Sequence, residues 1–171
     1  MEAHATRKQL TLFPLHANEI IEKIRATFNP IQYKLIPAHV TLCREDEIIA
    51  LEKVIDNIRL LAFNGPISIK FRPVERFDNG KGVLLPATDQ NPSFHTLRNF
   101  VLKSIMDSPR EHQPHLTLMH PSNATCTDAI FNQIKNYDLP TELIFDSITL
   151  IEQTEGGPWQ IVQKFPMGHV L

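Results

Sequence analysis

Two short stretches of the chain carry the same pattern, His39-Val40-Thr41-Leu42 and His115-Leu116-Thr117-Leu118, set 76 residues apart. A proline stands just before each, Pro37 and Pro114. In an extended strand residues i and i+2 share a face. Each stretch therefore sets an imidazole beside a hydroxyl and turns Val40, Leu42, Leu116 and Leu118 towards a core. An imidazole of pKa about 6.5 can take or give a proton near neutrality. A threonine hydroxyl can donate to a non-bridging oxygen on which charge gathers. Opening a cyclic phosphodiester needs a base for the attacking water and an acid for the departing alkoxide, on opposite sides of phosphorus. Two facing His-x-Thr pairs supply both. This chemistry calls for no metal and no other cofactor.

A single His-x-Thr on a strand is an ordinary half-buried pair. Two copies on equivalent strands are the signal, so the elements around them matter. Residues 9–15 alternate as a strand, and Asn18 can cap a helix whose apolar stripe is Ala17, Ile21, Ile24 and Phe28. Residues 38–43 read as a strand, 46–60 as a helix, and 67–72 as an alternating half-buried strand. Asp78-Asn79-Gly80 predicts a hairpin turn from that strand into Val83–Pro86. Asn91-Pro92 starts a further helix. A strand at 115–119 and a helix between 127 and 137 follow, then strands at 143–152 and 159–165. Residues about 9–74 and 82–165 thus repeat one order: strand, helix, strand, helix, strand. Leu12-Phe13-Pro14 echoes Leu84-Leu85-Pro86. The expected fold is α+β, a single two-lobed domain over residues 1–171 with pseudo-two-fold halves.

The 171 residues are 42% hydrophobic and 21% charged, ordinary values for a globular chain. The formal net charge is −2 and the sequence pI about 6.4, which excludes a protein that tracks a long nucleic-acid backbone. A nucleic-acid end or a small nucleotide fits that balance. Cys43 and Cys126 lie far apart and form neither a disulfide framework nor a zinc ribbon. No apolar run reaches the roughly 18 residues of a membrane span. The first residues lack a signal-like stretch, so a cytoplasmic monomer with no membrane partner is expected. His112, His115 and His120 cluster, but on a strand 115 and 120 should face opposite sides, which argues against a shared metal. Phe13, Phe77 and Trp159 could offer a platform to a base ring.

The tandem motifs, the repeat and the chain length resemble the two-histidine phosphoesterase superfamily, which includes bacterial 2′-5′ RNA ligases and 2′,3′-cyclic phosphodiesterases. The opening Leu-Thr-Leu-Phe-Pro-Leu and the closing Trp159-x-Ile161-Val162-x-x-Phe165-Pro166 extend the likeness along nearly the whole chain. The resemblance implies two antiparallel-rich sheets around a central cleft. It also implies metal-independent opening of 2′,3′-cyclic phosphates on nucleotides or RNA 3′ ends. His115 would then act as base and His39 as acid, with Thr41 and Thr117 on the phosphate. Phe13, Arg44 and Trp159 would complete the substrate-binding set. Ligase-like members carry a basic residue soon after the second motif. Here that place holds Met119-His120-Pro121, and Arg44 follows the first motif instead. The alternatives are a ligase running the esterification in reverse and a non-catalytic RNA- or nucleotide-binding module.

Overall fold

The computed structural model describes residues 5–61 and 65–168. Strand β1 (Thr6–Leu12) leads into helix α1 (Glu19–Phe28), where the Asn18 side chain accepts from the Ile21 amide at 3.0 Å. Pro30 starts a second short helix, α2 (Pro30–Leu35), which delivers the chain to β2 (Val40–Cys43). A 3-10 turn (Glu45–Glu47), α3 (Leu51–Arg59) and β3 (Ile67–Lys70) complete the first half. The second half begins with β4 (Glu75–Arg76) and β5 (Val83–Pro86), then α4 (Pro92–Val101) with proline in its first turn. β6 (His115–Met119) follows, then α5 (Asp128–Lys135), capped by Thr127. The chain closes through β7 (Glu142–Phe145), β8 (Ser147–Thr154) and β9 (Gln160–Pro166).

The fold is α+β, and the described residues form two antiparallel sheets that both straddle the halves. The larger has seven strands in the order β4-β5-β6-β2-β1-β8-β9; the smaller pairs β3 with β7. At the centre of the large sheet Val40 pairs with Leu116, the equivalent positions of the two motifs. Antiparallel register then sets His39 opposite Thr117 and Thr41 opposite His115. The repeat extends to irregularities. Leu10 pairs with Cys43 but Thr11 with Thr41, so Leu42 is an extra residue; Val83 pairs with Met119 but Leu84 with Thr117, so Leu118 is another. Both motif strands thus carry a bulge at the same place.

Val40, Leu42, Leu116 and Leu118 enter one core with Ile21 and Ile24 of α1, Val54 and Ile58 of α3, and Phe94, Leu97 and Val101 of α4. At roughly 1.5–3 kcal/mol for each large aliphatic or aromatic side chain fully buried, this face anchors the motif strands while the other stays open.

Five details differ from the sequence reading. The first strand covers 6–12 rather than 9–15. The helix expected over 46–60 is a 3-10 turn followed by α3, because Ile49 and Ala50 are exposed between them. The hairpin around Asp78-Asn79-Gly80 joins β4 to β5; β3 pairs instead with β7, touching the β5 end only through a Phe71–Ala87 bridge. The expected strand 143–152 breaks at Asp146, whose carbonyl accepts from the Met167 amide at 2.7 Å. β7 and β8 then join different sheets. The structural echo also shifts by one residue: Leu12 corresponds to Leu85, not Leu84, since these partner Val40 and Leu116.

Candidate active site

His39, Thr41, His115 and Thr117 line one cavity of about 610 Å³ over the middle of the large sheet. Its walls include Arg7 and Gln9 of β1, Arg25 of α1, Arg44 after β2, His112 before β6, and His120 after it. The two imidazoles are held in the same way. His39 Nδ1 lies 2.9 Å from the Pro37 carbonyl, and His115 Nδ1 lies 3.0 Å from the Gln113 carbonyl. A carbonyl only accepts, so each ring carries its proton on Nδ1 and keeps a free lone pair on Nε2 when neutral. Phe13 stands edge-on to His39 at 6.1 Å, and Phe77 edge-on to His115 at 5.8 Å.

The surroundings of the pair differ. Gln9 Nε2 donates to Thr41 Oγ1 at 3.0 Å, which leaves the hydroxyl proton for a ligand. The position equivalent to Gln9 is Gly82, where a Cβ would meet the Met119 carbonyl at 2.5 Å and the Phe77 ring at 2.8 Å. Burial pushes the His39 imidazole down to about 4, helped by the charges of Arg25, His115 and His120. Burial, together with the charge of Arg44, also holds His115 below the ordinary histidine value. Both rings are therefore neutral near pH 7 while the cavity is empty.

Cationic side chains ring the cavity. Arg7 pairs with Glu45 at 3.2 Å and lies over the Trp159 ring at 5.5 Å. Arg25 is buried, pairs with Glu22 at 3.0 Å and donates to the Ile36 carbonyl at 2.6 Å. Among the described residues no acidic partner lies within 4.0 Å of the Arg44 guanidinium, so its charge remains available to an anion. Of the expected binding residues, Arg44 and Trp159 line this cavity, while Phe13 lines an adjoining one.

His120 is a correction. Simple alternation sets it opposite His115, yet both line the cavity, because the bulge at Leu118 changes the parity before the chain leaves β6. His120 is the repeat equivalent of Arg44. The sequence reading also passed over Gln9 and Arg25, and weighed His112 only as a metal ligand. His112 Nε2 donates to the Thr41 carbonyl at 2.9 Å, and its ring stacks on Phe94. Gln9 alternates with Thr11 and Arg7 on β1 and could have been found that way; Arg25 gave no local signal.

The 2′-5′ RNA ligase superfamily model matches residues 13–157, which include both motifs. The chain belongs to this superfamily. A Bacillus pumilus protein named, provisionally, as a phosphoesterase is 24% identical over 165 residues, covering 93% of this chain and 96% of its own length. E. coli LigT, in a crystal structure with NADP+, superposes with a TM-score of 0.60 at 14% identity, covering 98% of this chain and 100% of that one. A second LigT structure, with 3′-AMP, gives 0.58 at 16% identity over 96% and 99%. At these identities the solved structures establish the fold.

Proposed function

We propose that the chain is a metal-independent phosphoesterase that opens 2′,3′-cyclic phosphates on nucleotides or RNA 3′ ends. One observation carries this reading: two imidazoles with Nε2 free and two threonine hydroxyls line a single cavity. Family membership and the fold shared with LigT, crystallised with 3′-AMP and with NADP+, support a nucleotide in the cleft.

In this reading the cyclic phosphate sits between the histidines, with Thr41 and Thr117 donating to its non-bridging oxygens and Arg44 offsetting its charge. His115 Nε2 takes a proton from water as the water oxygen bonds to phosphorus. One ring P–O bond breaks, and its oxygen receives the proton held on His39 Nε2. The products are a phosphomonoester and a free ribose hydroxyl. Solvent exchange returns both histidines to their starting forms. The bound anion favours the imidazolium form of His39, offsetting the burial that lowers it in the empty cavity. The reaction runs within one two-lobed unit, because the catalytic pair comes from its two halves.

The test is turnover of 2′,3′-cyclic nucleotides followed by phosphorus NMR in ¹⁸O-water, with a chelator present. A monoester carrying one ¹⁸O is expected. Activity lost to the chelator and restored by a divalent cation would overturn the mechanism.

A further inference from the structure

A second cavity, of about 420 Å³, adjoins the first on the same side of the sheet and shares two of its walls, Ile36 and Trp159. α1, the 36–38 segment and strands β8 and β9 enclose it, and none of the residues that carry the proton chemistry lines it. Its lining is mainly apolar: Phe13, Ile21, Ile151 and Ile161 contribute, with Ser147 and Thr149 hydroxyls among them. Such a volume, apolar with a few polar groups, is the form of a small-ligand pocket.

We infer that this pocket takes the heterocyclic base of the nucleotide whose phosphate is opened next door. The inference rests on the acid role given to His39 above. The ring oxygen that leaves phosphorus collects its proton from His39, so the ribose bearing it lies on the His39 side. The pocket begins there. Phe13 is edge-on to His39, and Pro37, whose carbonyl fixes the His39 ring, lines the pocket. Trp159 stands at the junction, held by its amide donating to the Leu35 carbonyl at 2.9 Å and flanked by the Arg7 guanidinium. An aromatic plane there can stack a base, while the hydroxyls and the carboxylate of Asp146 can meet the polar edge of its ring. The histidine cavity differs in its polar lining, with arginines, histidines, Glu45 and Asp46 around it, whereas few polar groups interrupt the second pocket.

The test compares adenosine 2′,3′-cyclic phosphate with ribose 2′,3′-cyclic phosphate, which lacks the base. Stacking of one base is worth a factor of about 5–150 in binding, so kcat/KM should fall by that much for the baseless substrate, mainly through KM. Ile161→Glu sets a charge in the apolar pocket from an exposed strand position, and Ala17→Phe fills it from the rim. Either should bring the ratio of the two substrates towards one. Equal kcat/KM for both substrates in the wild type would overturn the inference, as would a ratio unchanged in both variants. Trp159 is the only tryptophan, so its fluorescence gives a readout independent of turnover. Adenosine 3′-monophosphate should quench it in the wild type and less in Ile161→Glu. Quenching without any turnover would sink the phosphoesterase reading and leave the base pocket standing; turnover without base preference would do the reverse.

Discussion

Each histidine of the proposed catalytic pair is oriented by a carbonyl two residues upstream. The Pro37 and Gln113 carbonyls take the Nδ1 protons and leave both Nε2 atoms for chemistry. The pKa shifts then set the pH dependence. In the free protein His39 titrates at about 4 and His115 below its ordinary value, so acid and base are both correctly charged only on the acidic side of 6.5. The kcat/KM profile should be a bell with its maximum below pH 6.5. The anionic substrate favours imidazolium, so the kcat bell should lie at higher pH. Coincident profiles centred above pH 8 would contradict this. At the threonines, Thr41→Val and Thr117→Val keep the branched shape and remove a donor. Loss of one transition-state donor typically costs about 10²–10³ in kcat, so steady-state rates should fall by that order while both variants remain folded.

At the scale of elements, the halves hold each other's motif strands. Arg98 of α4, in the second half, donates to the Leu42 carbonyl at 2.7 Å and pairs with Glu47, fully buried after β2. Asn29 at the end of α1, in the first half, accepts from the His120 amide at 2.7 Å and donates to Asn123 Oδ1 at 2.9 Å. Burial would raise the Glu47 carboxyl, but bonds from Arg98 and the Arg44 amide outweigh it and hold the group below its ordinary value. Removing one partner of a buried ion pair costs about 3–5 kcal/mol, so Glu47→Leu should lose that much in urea unfolding. Asn29→Ala strands the His120 amide and should lose about 1–3 kcal/mol, with a fall in kcat as His120 and its loop shift. A stability change below about 0.5 kcal/mol in either variant would show the clamps to be idle.

These clamps were not legible in the sequence, because Glu47–Arg98 and Asn29–His120 join residues far apart in the chain. The motif strands were legible, since His115-Leu116-Thr117-Leu118 alternates over the first four residues of β6. The bulges were not: nothing in Thr41-Leu42-Cys43 or Thr117-Leu118-Met119 announces an extra residue, and ignoring it sent His120 to the wrong face. Nor was the break at Asp146. Phe145, Ser147 and Ile148 are all buried, so composition reads as one continuous apolar strand although its two parts join separate sheets.

For the whole molecule, histidines held neutral in the folded state link stability to pH. His112 is pushed down to about 4 by burial and by the charge of Arg98, as His39 is by burial and Arg25. The unfolded chain binds these protons near pH 6.5 and the folded chain only near 4, so the unfolded state holds more protons between those values. Stability is complete above 6.5 and declines as pH falls towards 4. The midpoint of thermal unfolding should drop across that window, and His112→Phe should flatten the decline. A midpoint constant from pH 7 to 4 would mean the rings are freely protonated in the folded protein.

The pseudo-two-fold relation brings two half-sites into one cavity, so catalysis should depend on both. The most direct measurement is kcat/KM for a 2′,3′-cyclic nucleotide in His39→Ala and His115→Ala beside the wild type, with folding checked by circular dichroism. General acid and base steps are worth about 10²–10⁴ each, and each variant should lose that much while remaining folded. If either folded variant keeps near-wild-type turnover, the two-histidine mechanism is wrong.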